Sequence, residues 1–168
     1  MILRLTTKLA QRIKLKPKEK LPLEPDPLLD WSAHTFFAGG VPYILVTNTA
    51  SLYSTVFRAK GVTNGERLVE RILSVLGEVL RRDMYGPLFE NHVVPGAQTI
   101  SYSKSLNLSV TGCMNGFVYY FIGFRPETQD DPHANAVLLN RTPMGPQPYR
   151  FPQETFARLA LRAQGALN

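Results

Sequence analysis

The sequence predicts an α+β fold, with an antiparallel sheet of four or five strands and two main helices packed on one of its faces. Three stretches carry that expectation. Residues 33–57 alternate apolar and polar side chains around a Gly39-Gly40 turn, the pattern of a hairpin followed by a third strand. In residues 64–82, Leu68, Ile72, Val75, Leu76, Val79 and Leu80 form one helical stripe. The stretch Leu106–Phe124 has no charged side chain and places Leu106, Val110, Cys113, Met114, Phe117 and Phe121 on a second stripe. It is expected to be the central core element.

At 168 residues the chain is expected to form a single domain, 1–168, which buries enough surface to need no metal or disulfide support. Cys113 is the one cysteine, which fits a reducing, cytoplasmic setting. No apolar run reaches the ~18 residues a membrane-spanning helix requires. The acid-poor N-terminus shares features with a transit peptide, but neither serine enrichment nor a cleavage-like region follows, and basic residues interrupt any signal-peptide core. The net charge of +6 is local. Residues 1–20 hold seven basic side chains against Glu19, while the other 148 residues carry twelve of each sign.

Taken in order, Ile2–Thr6 alternates as a short strand, and Thr6 or Thr7 caps a helix running through Leu15. Residues 16–30 contain Pro17, Pro22, Pro25 and Pro27 and are expected to be an extended connector, anchored by Leu28, Leu29 and Trp31. HTFF and VPYILVTN form the hairpin, and SLYSTVF continues it as an antiparallel meander. Thr63 or Asn64 caps the 64–82 helix, Arg81 and Arg82 complement its dipole, and Gly86-Pro87 stops it. Residues 88–103 are ambiguous, with a short strand at 98–102. In the central stretch the helical stripe competes with the β-rich tail 117–124. Gly112 and Gly116, which cost roughly 1 kcal/mol each in a helix, are expected to admit a neighbouring backbone. RPETQDDPH reads as a loop, Asn135–Asn140 as a last strand and the proline-rich 142–152 as surface chain. Pro152 opens a final helix with Phe156, Leu159 and Ala160 inward.

The candidate ligand-binding residues are polar groups set in apolar surroundings. Asn107, Thr111 and Asn115 repeat every four residues on one helix face; His34 and Asn48 are the other members. The competing reading is that these groups satisfy buried backbone. Lys14, Lys16, Lys18 and Lys20 are the candidate nucleic-acid contacts, although no aromatic residue is interleaved among them for base stacking. Cys113 with a histidine base (His34, His92 or His133) would make a nucleophile, but its place on the apolar stripe argues for packing. Asp130, Asp131 and His133, joined by Glu90 and His92, form an incomplete metal set without HExxH or CxxC spacing, so no metal and no cofactor is expected. Gly39-Gly40 lacks the context of a nucleotide-binding loop.

The opening MILRLTTKLAQRIKL, DWSAHTFF, YILVTNTASLYSTVF, SLNLSVTGCMNG and NAVLLNRTPM occur in an order that resembles a small bacterial family of unknown function. The resemblance covers most of the chain. It implies a free-standing cytoplasmic α+β domain and supplies no catalytic residues. Leu108 and Gly116 stand where the resemblance leads one to expect a basic and an acidic residue. Together these readings favour a non-enzymatic binding or regulatory module for protein or nucleic acid, met through the basic segment and the sheet edges. The alternative is a small hydrolase or nuclease-like enzyme built around Asn115, His34 and the Asp130–His133 group. Convergence of His34, Asn48 and Asn115 in one cleft would favour a ligand site or enzyme.

Overall fold

The computed structural model describes residues 1–106, 108–124, 130–143 and 151–165. The sheet is built from β1 (Ile2–Leu5), β2 (Asp30–Ala38), β3 (Val41–Asn48), β4 (Ser54–Arg58) and β5 (Ser101–Lys104), in the order β4-β3-β2-β1-β5. Helix α1 (Thr7–Arg12) follows β1, and α2 (Gly65–Arg82) follows β4. Two short turns, α3 (Gly86–Leu88) and α4 (Val94–Gly96), flank a π turn at Phe89–Val93. After β5 come α5 (Leu108–Phe124), α6 (Pro132–Asn140) and α7 (Pro152–Gly165).

The α+β class holds, and β2–β3–β4 is the expected antiparallel meander. Gly39 and Gly40 adopt φ of 57° and 81°, the left-handed values that a two-residue hairpin turn needs. The sheet as a whole is mixed, however. β1 lies between β2 and β5 and runs parallel to both, a correction to the antiparallel expectation. Alternation reveals that a segment is a strand but not its direction. The long crossover through α1 and the connector is what permits parallel pairing.

A second correction concerns the helices, which pack on opposite faces. Trp31, Ala33, Ile44, Val46 and Phe57 share a core with Leu68, Ile72 and Leu76 of α2, and with Phe156 of α7. The alternate residues Phe36, Tyr43, Leu45 and Val56 meet Met114, Phe117 and Phe121 of α5. Tyr43, Ile44, Leu45 and Val46 are all fully buried. A continuous apolar run of this kind marks a strand covered on both sides. At about 1.5–3 kcal/mol per buried large side chain, each face is a substantial part of the stability.

Residues 135–140 are helix rather than the expected last strand. Asp131 caps α6 by accepting the His133 N–H, and Pro132 occupies the first turn. The helix lies along the outer edge of β4. Asn140 accepts from the Ser54 N–H at 2.7 Å and donates to the Ser54 carbonyl at 3.0 Å, while Asn135 donates to the Val56 carbonyl at 2.8 Å. Two asparagines thus satisfy backbone groups that an exposed edge strand would offer to another chain.

The connector is pinned from below by a buried arginine. Arg4 forms a bidentate pair with Asp30, at 2.8 and 2.7 Å, and donates its remaining hydrogens to Ser103 Oγ and to the Leu21 and Pro22 carbonyls. All five guanidinium N–H groups are therefore used, the condition under which a buried charge is tolerated. Asp30 also accepts the Glu24 N–H, and Ser103 Oγ accepts the Leu21 N–H. Ser103, Arg4, Ser32, Thr47 and Ser54 stand in register across all five strands. They form a buried polar row that bonds the connector at its Ser103–Arg4 end, with Ser32 bonded to Thr49 and Thr47 to Ser54.

Candidate functional site

Parallel pairing of β1 with β5 brings their carboxyl ends, Leu5 and Lys104, side by side. α1 departs from one end and α5 starts just beyond the other, and an open cavity of about 850 Å³ lies beside both. The carboxyl ends of parallel strands are a recurrent place for ligands, because the connections there splay apart.

Lys14, Lys16, Lys20 and Lys104 line this cavity, and no carboxylate does. Among the described residues none of the four is ion-paired. Leu5, Ala10, Leu15, Pro17 and Leu108 supply an apolar wall. Thr7, Gln11, Ser105 and Thr111 complete the lining with neutral hydrogen-bonding groups.

Three devices hold the four lysines. Lys14 ends α1: its N–H bonds the Gln11 carbonyl and the Leu15 N–H bonds that of Ala10, a Schellman closure. The closure puts Lys14 at φ 56°, a left-handed value ordinarily given to glycine. A side-chain-bearing residue costs about 1–2 kcal/mol there. Lys16 and Lys20 belong to the connector and owe their position to the Arg4 bonds at Leu21 and Pro22. Lys104 is the last residue of β5, and its N–H bonds the Glu19 carbonyl, so strand and connector are laced together.

The structure therefore gathers Lys14, Lys16 and Lys20 with Thr111. Lys18 is exposed and does not line the cavity. Asn115 is exposed farther along α5, also outside the lining. Asn107 lies outside the described residues. Asn48 is fully buried, donating to the Pro27 and Asp30 carbonyls and accepting from the Ser51 N–H and hydroxyl, so it shapes the turn after β3. The Nδ1 of His34 lies 3.0 Å from the Thr6 hydroxyl beside the start of α1. Burial, and secondarily the charge of Lys8, lowers its pKa and so favours the neutral ring. His34 projects from the face opposite Trp31, so those two rings share no pocket. His34, Asn48 and Asn115 thus occupy three different settings.

The remaining titratable candidates are drawn into separate structural bonds. Asp130 pairs with Arg58, Asp131 with Arg82, Glu90 with Arg81, and His92 with Asp26. The Nε2 of His133 lies 2.7 Å from Asp83, which also accepts the Tyr53 hydroxyl. This trio ties the residue before β4, the end of α2 and α6 together, next to a smaller cavity of about 380 Å³. Burial first, and Asp83 next, pushes the Tyr53 phenol far up, so it stays protonated. Among the described residues no group of three or more His, Cys, Asp or Glu is placed to hold a metal ion. Cys113 is half-buried, and burial pushes its thiol up, the reverse of what an activated nucleophile needs.

Gly112 does not admit a neighbouring backbone as expected, for a Cβ built there meets nothing within 4 Å. Among the described residues, parts of both sheet edges are engaged by other segments. α6 takes β4 backbone groups, and the connector meets Lys104 and Ser103 of β5. Lys104 and Leu108 were missed as site residues, because their meeting with Lys14 depends on the parallel β1–β5 pairing.

Among the described residues no helix is long and apolar enough to cross a membrane. A family model described as "Domain of unknown function (DUF6933)" matches residues 2–155. No curated protein matches the chain.

Proposed function

The chain belongs to the DUF6933 family, whose description names no activity, and on that premise we propose that it is a binding module for an anionic, phosphate- or carboxylate-bearing ligand. One observation carries this reading. Four lysines from three separate segments converge on one cavity that contains no acid. A solvated patch needs no such convergence, and Lys14 occupies a backbone conformation that favours glycine. The scattered placement of His34, Asn48 and Asn115 supports binding over catalysis. A cytoplasmic setting belongs to the same reading and is supported by the lone thiol of Cys113.

Exposed ion pairs contribute about 0.2–1 kcal/mol each. Four lysines therefore give an anion roughly millimolar affinity at best from charge alone. The test is calorimetric titration of the full chain with pyrophosphate at low and high salt, for the wild type and for a Lys14→Gln/Lys20→Gln/Lys104→Gln variant. Weak, salt-sensitive binding that disappears in the variant is expected. Equal binding by both proteins, or none by the wild type, refutes the assignment.

A further inference from the structure

Resting on that reading, we infer that the ligand is amphipathic: a single-chain anion whose phosphate or carboxylate head meets the lysines and whose apolar chain lies on the leucine wall. The cavity is two-sided. Lys14, Lys16, Lys20 and Lys104 surround an apolar wall of Leu5, Ala10, Leu15 and Leu108. The stems of the lysines extend that wall while their ammonium groups remain in water. Leu108 is 90% exposed at the first residue of α5, where nothing in the described chain covers it. An inorganic anion would use the lysines and leave this wall wet.

Polymeric anions fit less well. No aromatic ring lines the cavity, so nucleobases have nothing to stack on. Outside residues 1–20 the chain has no net charge to follow a long phosphate backbone. A peptide adding as a strand would need free edge groups, and the Ser54 and Val56 carbonyls and the Ser54 N–H are taken by α6. The volume of about 850 Å³ falls in the range of small-molecule sites, roughly 300–1,000 Å³.

The experiment uses the full chain with butyl, hexyl and octyl phosphate below their micelle-forming concentrations, with inorganic phosphate and a single-stranded oligonucleotide alongside. Burying a methylene strengthens binding up to roughly fourfold, so affinity should climb at least tenfold from butyl to octyl phosphate. Leu108→Ser changes an exposed residue; it should flatten that climb and leave inorganic phosphate binding unchanged. Lys104→Gln should weaken every phosphate and preserve the climb. Equal affinity along the series, a climb indifferent to Leu108→Ser, or an oligonucleotide that outcompetes octyl phosphate overturns the amphipathic ligand and leaves anion binding standing. No binding of any phosphate overturns both.

Discussion

Lys14 offers a test that separates stability from binding. The residue sits at φ 56° in the Schellman closure of α1, exposed, with its side chain on the cavity. Replacing it with glycine relieves about 1–2 kcal/mol of left-handed strain. Against this stand about 0.4–1 kcal/mol for the more flexible unfolded chain and about 0.3–1 kcal/mol for a lost cation at the helix C-terminus. The net change in Lys14→Gly is therefore small, within about 0.5 kcal/mol of zero. Lys14→Ala keeps the strain and loses the same cation, so it should fall below the glycine variant by about 1 kcal/mol, the reverse of the order found inside a helix. Urea denaturation of the three proteins measures the stability order, and pyrophosphate titration measures binding. Both variants should lose the same share of affinity. An alanine variant more stable than the glycine one by about 0.4–1 kcal/mol would show that the backbone at this position carries no strain. Full binding by either variant would show that the lysine does not serve the cavity.

Arg4→Met should cost about 3–5 kcal/mol in urea denaturation, because it leaves Asp30 buried without its partner and strips the Leu21 and Pro22 carbonyls of their donors. Any folded fraction should be cleaved faster by trypsin after Lys18 and Lys20 (the bond after Lys16 is protected by Pro17); a loss below about 1 kcal/mol with an unchanged cleavage rate contradicts the pinned connector. His34 sets a pH dependence. Its folded pKa lies below the ordinary 6.5, so the unfolded chain takes up a proton first as the pH falls. This contribution is intact above pH 6.5 and is lost as the pH falls from there to the folded value. His34→Gln should reduce the drop in denaturation midpoint between about pH 7.5 and about pH 5, and an identical drop in both proteins would show that the ring is not held neutral.

Local chemistry was legible in the sequence and long-range pairing was not. The α2 stripe, its Asn64 cap and the Gly39-Gly40 hairpin follow from residues within one turn of each other. The helix at 135–140 also has a local signature. Asp131-Pro132 is an N-cap followed by a first-turn proline, and Asn135, Ala136, Leu139 and Asn140 repeat at i, i+1, i+4 and i+5, whereas a four-residue apolar run fits strand and helix equally. The burial of both sheet faces was also visible, in the uninterrupted Tyr43–Val46 run. The direction of β1 was not, since Ile2–Leu5 alternates identically whether it runs with or against β2.

That hidden direction decides the site. Had β1 run antiparallel to β5, its carboxyl end and α1 would lie at the far end of the sheet from Lys104, and the basic segment would be a solvated arm. Parallel pairing places Leu5 opposite Lys104. The same register sets Arg4 opposite Ser103, so the guanidinium that neutralises Asp30 also reaches the connector at Leu21 and Pro22. Lys16 and Lys20 are consequently carried by a segment bonded into the buried polar row, while Lys14 is fixed by its own helix end and Lys104 by its strand. The positive charge evident in residues 1–20 becomes a site through one strand's orientation and one buried arginine, and neither leaves a mark in composition or periodicity.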